Sequence, residues 1–130
     1  ASNSSMAKGL FLLGTLLDDA RNLEMSEHLL ASIAPRMVDH PTGHSNWAQL
    51  MLWHTHPFHE IAITGPEAIA LRQGFATRYI PNRVFLGSTT SSTLPLLKDK
   101  LLPASTIFVC VGKTCKLPVP SVEEAIREVQ

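Results

Sequence analysis

A short run sets the architecture of the second half of the chain: Glu60-Ile61-Ala62-Ile63-Thr64, followed directly by Gly65-Pro66. Isoleucine and threonine favour strands, and a Gly-Pro pair is a typical end to a regular element. Two more apolar runs follow at residues 83–87 and 106–111. Because all three runs are nearly continuous in apolar residues, they predict strands buried on both faces, as in a parallel sheet.

Helical patterns separate these runs. Proline just inside a helix start suits residues 67–78, with Ile69, Leu71 and Phe75 on the buried side. A short helix is expected at residues 94–101, and Ser121 is placed to cap a last one. Strands that alternate with helices predict an α/β fold with right-handed βαβ crossovers.

Before Pro57 the apolar residues recur at three- and four-residue steps, which is typical of helices. The first helix, with Ser4 or Ser5 as its N-cap, is expected to be covered on two sides. Its apolar stripe consists of Met6, Leu10, Leu13 and Leu17 and is widened by Phe11, Leu12 and Leu16. Two more helices are expected to be capped by Ser26 and Ser45, and Pro35 to kink or shorten the second.

Together these patterns predict N-terminal helices over residues 1–56, packed on a small three-stranded, mainly parallel sheet over residues 57–130 with a C-terminal helix. We expect one compact unit. The opening Ala1-Ser2-Asn3 runs straight into helical sequence, which we interpret as a boundary inside a longer protein.

Composition excludes several classes of function. Eleven basic residues balance eleven acidic ones, so no basic excess points to nucleic acid. No apolar run approaches the roughly 20 residues of a membrane-spanning helix. Two cysteines are too few for a secreted disulfide scaffold, and this favours a reducing, cytoplasmic compartment.

The two cysteines flank Gly112-Lys113. If these residues form a two-residue hairpin loop, glycine first suits a type II′ turn, and Cys110 then faces Cys115 with Cα atoms about 4.5 Å apart, within reach of a disulfide. A reversible redox pair is therefore permitted. We favour the simpler interpretation, a core thiol at Cys110 and a loop residue at Cys115, because free cysteines are among the most buried residues.

A hydroxyl-rich segment over residues 88–93 follows the second strand, at the edge where parallel sheets bind ligands. Backbone amides and hydroxyls there can hold a small anion or a phosphosugar. The candidate residues are Thr64, Gly65, Ser88, Thr89 and Thr90. A solvated loop is the simpler interpretation, and we favour it.

Three histidines, His54, His56 and His59, suggest a metal site by residue type alone. Pro57 interrupts any regular element among them, so we predict surface or capping roles and no metal. No Ser/His/Asp set or paired carboxylate occurs at these positions, and we predict no catalytic residue and no cofactor.

Several motifs occur in the same order as in one known family. They are Ser2-Asn3-Ser4-Ser5-Met6-Ala7, Asn46-Trp47-Ala48, residues 60–65, Tyr79-Ile80-Pro81-Asn82, and Val109-Cys110 followed after four residues by Cys115-Lys116-Leu117-Pro118. The chain thereby resembles the C-terminal region of the thioredoxin-domain-containing proteins related to spermatogenesis-associated protein 20. The three histidines depart from the apolar or aromatic residues expected in relatives.

The resemblance implies a parent with an N-terminal thioredoxin-like domain and a central α/α barrel similar to sugar epimerase and six-hairpin glycosidase barrels, with a carbohydrate-related activity. The leading helices would be the last of that barrel. The partners of this chain would be the other domains of the parent protein, and uncovered helical faces permit a homo-oligomer. We therefore expect a non-catalytic C-terminal module; the alternatives are a thiol–disulfide switch through Cys110 and Cys115, or anion binding at the strand ends.

Overall fold

The computed structural model describes residues 2–129, and the chain divides into two compact units, Ala1–Pro57 and Phe58–Gln130. The first unit is helical. It contains helices α1 (Ser2–Leu17), α2 (Ala20–Met37) and α3 (Ser45–Thr55), with a 3₁₀ helix (Pro41–His44) before α3.

The buried side of α1 differs from the predicted stripe. Met6, Leu13 and Leu17 are 63%, 47% and 49% exposed, whereas the buried positions are Ser4, Ala7, Phe11, Gly14 and Thr15, of which Phe11 was predicted. The reason is close helix packing: a Cβ added at Gly14 would lie 2.6 Å from the Cγ of Leu23. Small residues permit this approach, and a search for large apolar residues overlooks them.

Helix α2 begins earlier than predicted because Asp19 caps it, with its carboxylate accepting from the backbone amides of Arg21 and Asn22. Ser26 is therefore not a cap but a buried residue inside the helix, and its hydroxyl donates to the carbonyl of Ala7 at 2.8 Å. Pro35 lies in the last turn, and α2 ends at Met37.

The second unit is α/β, as predicted. Its elements are β1 (His59–Thr64), α4 (Ala68–Gly74), β2 (Arg83–Ser88), β3 (Thr106–Val111), β4 (Thr114–Cys115) and α5 (Val122–Val129). The sheet has four strands in the order β2-β1-β3-β4. The predicted cap of α5 is confirmed, because the amide of Glu124 donates to Ser121 Oγ at 3.3 Å.

The prediction of three mainly parallel strands is wrong in part. Strands β1 and β2 are parallel, but β3 runs antiparallel to β1, and β4 antiparallel to β3. The predicted helix at 94–101 is a series of turns, in which the amides of Leu97 and Lys98 donate to the carbonyl of Leu94. Burial on both faces made β3 resemble a parallel strand, since apolar content carries no information on strand direction.

The two faces of the sheet differ in their cover. Helices α4 and α5 contribute to the core on one face, which comprises Ile61, Ile63, Ala68, Phe75, Ile80, Ile107, Val109, Val122 and Ala125. Alternation places Glu60, Ala62 and Thr64 of β1 on the other face. There Ala62, Phe108 and Cys110 pack with Leu97 from the turn segment. A carboxylate is thus built into an apolar surface beside a cysteine.

Candidate functional site

The hairpin of β3 and β4 has the register expected for a two-residue loop, which was the alternative to the favoured interpretation: Cys110 pairs with Cys115 and Val111 with Thr114. The loop type is not the predicted one. Gly112 and Lys113 both have positive φ, 53° and 67°, which defines a type I′ turn and not a type II′ turn. A lysine in the left-handed region is unusual and depends on surrounding contacts to hold it.

Cys110 and Cys115 form a disulfide, with Cα atoms 3.9 Å apart. The amide of Lys116 donates to the carbonyl of Val109 at 3.0 Å, so the cysteines occupy a non-hydrogen-bonded position of the ladder. The favoured interpretation of two separate thiols is wrong, because the two cysteines of the sequence are bonded to each other. A redox role for the pair stays a prediction.

The two sulfurs differ in exposure. Cys110 is 1% exposed, in the middle of the sheet, whereas Cys115 is half-buried on the two-residue edge strand β4. Exposed side chains surround the edge, including Leu117 at 84% exposure. Since thiol–disulfide exchange requires access to a sulfur, an attacking thiolate would reach Cys115 and expel Cys110.

Glu60 is the buried carboxylate next to this bond. Its residue is 5% exposed, it pairs with Cys110 in the β1–β3 ladder, and its Oε2 accepts from the amide of Lys113 at 3.0 Å. Desolvation raises the pKa of Glu60, while the Lys113 amide and the charge of Lys100 act in the opposite direction. The carboxylate thereby joins β1 to the hairpin turn.

Glu60 was not predicted as a site residue, and its only predicted role was as the first residue of the strand run at residues 60–64. The available signal was a single acidic residue at an inward-facing position of an otherwise apolar strand. Charged residues are rarely buried without a partner, so a carboxylate at such a position indicates a nearby group that bonds to it.

The predicted strand-end residues divide into two groups. Thr64 is 1% exposed and donates to the carbonyl of Lys100, and the amide of Gly65 donates to the carbonyl of Ser88. At Gly65, φ is +109° and an added Cβ would lie 2.6 Å from the Cα of Ser105, so backbone packing explains the glycine. Both residues therefore have structural contacts that account for them.

Ser88 and Thr90 bond to each other: the Ser88 hydroxyl donates to the carbonyl of Thr90, whose amide donates to Ser88 Oγ. Ser88 and Thr89 also line a groove of about 430 Å³, together with Ala68, Ile69, Arg72, Gln73 and Gly87. The Arg72 guanidinium lies 4.1 Å from the ring centroid of Phe85. Arg72 was not predicted as a site residue, although a helix that follows β1 and packs on β2 places its side chains at this edge.

The histidines have separate surroundings. His54 belongs to the helical unit, where its Nε2 lies 3.2 Å from Ser26 Oγ and its ring 4.9 Å from that of Phe11. Because the Ser26 hydrogen is donated to a carbonyl, His54 Nε2 must be the donor in this pair. Burial lowers the pKa of His54, with Glu27 opposing the shift. Across residues 2–129, no group of three His, Cys, Asp or Glu side chains could hold a metal ion.

Comparisons with protein-family models, curated proteins and solved structures find no match to this chain. The family resemblance therefore stays a prediction. None of the helices in the described part of the chain combines the length and apolar character needed to cross a bilayer.

Proposed function

We propose that the chain is a non-catalytic module that acts as a thiol–disulfide switch through Cys110 and Cys115. The observation that carries the proposal is the disulfide itself, which joins one buried sulfur to one half-buried sulfur at an open sheet edge. In the reducing compartment that the low cysteine count favours, a disulfide is usually transient and redox-linked, not a permanent staple.

The proposed exchange has two steps. A thiolate of the partner attacks Cys115 Sγ, forming a mixed disulfide and releasing Cys110 as a thiolate. A second partner thiol, after losing its proton, then attacks the mixed disulfide and releases Cys115, so the partner dithiol is oxidised and this pair is reduced. The thioredoxin-like domain implied by the resemblance is the proposed partner, because such domains carry a dithiol of this kind.

The test is equilibration of the full chain in glutathione buffers of graded ratio, followed by acid quench, alkylation and mass spectrometry. We expect a reversible conversion between the disulfide and the dithiol, with mixed disulfide on Cys115 only. The matched control is Cys115→Ala, which leaves Cys110 buried and slow to alkylate. A disulfide that resists millimolar dithiothreitol in the native protein would be structural and would overturn the proposal.

The place of this module in a larger protein is supported by the exposed apolar side chains of α1, namely Met6, Leu13 and Leu17. Helices that belong to an α/α barrel would bury such residues against neighbouring helices. Sedimentation of the chain tests this part of the proposal. Self-association that Leu13→Glu and Leu17→Glu abolish supports it, whereas a monomer that binds no apolar dye opposes it.

A second candidate function is anion or phosphosugar binding in the groove beside Ser88 and Thr89. Arg72 favours it, because a guanidinium next to hydroxyls suits a phosphate group. Thermal shifts with inorganic phosphate and with glucose 6-phosphate test the candidate. We expect Arg72→Gln to remove the shift and Arg127→Gln, an exposed control on α5, to leave it; no shift in the unaltered chain excludes these ligands.

A further inference from the structure

Backbone geometry identifies the residue of β1 that lies beside Cys110 of β3. Cys110 occupies a non-hydrogen-bonded position toward β4, so its own amide and carbonyl point toward β1. It therefore forms a hydrogen-bonded pair with Glu60, for which the Cα separation is about 5.5 Å. Directly opposed residues project to the same face, and their Cβ atoms lie roughly 4.5–5.5 Å apart. The Glu60 side chain is thus an immediate neighbour of the buried sulfur.

The surroundings of this pair are apolar. Ala62 and Phe108 continue the same face along β1 and β3, and Leu97 packs on it from the turn segment. The charged side chain that acts on the carboxylate is Lys100 on that segment, and the backbone amide of Lys113 in the hairpin turn is bonded to Glu60. Because Cys110 is 1% exposed, water has little access to its sulfur, and a nearby protein group can supply the proton exchanged there.

We propose that Glu60 is the proton donor and acceptor of the Cys110 sulfur; this inference rests on the proposed thiol–disulfide switch. During reduction, the partner thiolate bonds to Cys115 Sγ, and the S–S electron pair leaves with Cys110 as a thiolate. The Glu60 carboxylic acid transfers its proton to that thiolate, which yields a neutral Cys110 thiol and a Glu60 carboxylate.

Oxidation is the reverse reaction and needs a partner disulfide as oxidant. With Cys115 already held in a mixed disulfide, the Glu60 carboxylate removes the Cys110 proton. The resulting thiolate attacks Cys115 Sγ and releases the partner thiolate, so two electrons pass to the partner and one proton stays on Glu60. No buried charge is left on the sulfur in either direction.

Burial raises the pKa of Glu60. A raised pKa keeps the proton on the carboxyl group closer to neutral pH, where general acids are most effective. The Lys113 amide fits the same cycle, because a hydrogen bond to a carboxylate is stronger than one to a neutral carboxyl group. After proton transfer that bond stabilises the carboxylate that remains.

A structural explanation of Glu60 is also available: the side chain would only hold Lys113 in its left-handed conformation. Glu60→Gln separates the two explanations, because the amide oxygen still accepts from Lys113 but the side chain does not titrate. Glu123→Gln is the matched control, as Glu123 is an exposed carboxylate of the same unit, on α5.

The experiment measures reduction of the full chain by dithiothreitol from about pH 5 to about pH 9, with each rate divided by the dithiothreitol thiolate concentration. In the unaltered chain and in Glu123→Gln, we expect this normalised rate to fall as pH rises through the Glu60 pKa. In Glu60→Gln we expect a flat profile, at least about tenfold lower at the acidic end, since general acid catalysis commonly contributes ~10²–10⁴-fold.

Identical profiles for Glu60→Gln and the unaltered chain would overturn the inference and leave the switch intact. A disulfide that native conditions never reduce would overturn both. If Glu60→Gln does not fold, the unaltered chain still decides, because a flat normalised profile contradicts proton transfer from any carboxyl group. Glu60→Asp then serves as the second variant, and it should keep the pH dependence at a reduced rate.

Discussion

Reduction of the Cys110–Cys115 bond should destabilise the α/β unit by an amount that the length of the closed loop determines. The cysteines are five residues apart, so the loop is short, and the chain-entropy relation gives about 2 kcal/mol at 25 °C. Because the disulfide constrains the unfolded chain, the loss of stability should affect every backbone amide whose hydrogen exchanges only when the unit unfolds. A loss of this size corresponds to a roughly thirtyfold increase in the population of open states.

The assay must report on the α/β unit, and tryptophan fluorescence does not, since both tryptophans, Trp47 and Trp53, lie in the helical unit. Hydrogen exchange followed by mass spectrometry is suitable. We expect peptides that cover β1 and β3 to exchange about thirtyfold faster after reduction. The double variant Cys110→Ala with Cys115→Ala should exchange equally fast with and without reductant.

The result that refutes this reasoning is a local one. If faster exchange is confined to the turn and to β4, the bond staples only the hairpin and does not constrain the unit as a whole. If no exchange rate changes, the reduced hairpin is as well ordered as the oxidised one, and the disulfide does not affect the stability of the rest of the sheet.

Two further predictions concern the helical unit, where tryptophan fluorescence during urea unfolding is the measurement. Gly14→Ala should destabilise this unit by about 1–3 kcal/mol, because the new methyl group would overlap Leu23. Gly9→Ala, whose added methyl group meets nothing within 4 Å, should stabilise it by about 0.5–1 kcal/mol. Equal effects of the two substitutions would refute the close packing at Gly14. The stability of this unit should also fall as pH falls below 6.5, because His54 binds a proton more readily in the unfolded chain than in the folded one. The contribution of His54 is at most about 1.4 kcal/mol per pH unit. His54→Gln should remove this contribution, and an unchanged dependence of stability on pH in that variant would contradict the prediction.

Local patterns predicted what local physics determines. The strand over Thr106–Val111 was predicted with the bounds it has, because a β-branched run between turn residues leaves little choice. The pairing of Cys110 with Cys115 followed from a two-residue loop, since loop length fixes hairpin register. The type I′ turn was missed because the glycine suggested only one positive φ, whereas Lys113 has the second.

What the patterns missed depends on contacts between distant segments. The direction of β3 depends on how residues 89–105 cross from β2 to the far side of β1, and no residue of β3 encodes that path. The buried side of α1 depends on Gly14 and on its distance from Leu23, which hydrophobicity does not record.

Glu60 combines both kinds of information. Its position in β1 was clear from the sequence, but its meaning depends on which residue lies opposite, and that residue belongs to a strand predicted in the wrong direction. An antiparallel β3 brings Cys110 beside Glu60 and the turn amide of Lys113 onto its carboxylate. Burying a carboxyl group in this apolar face costs free energy unless it is bonded or protonated. Under the proposed mechanism, the buried carboxyl group holds a proton and transfers it to the departing Cys110 thiolate. The pH profile of the reduction rate in Glu60→Gln tests this role directly.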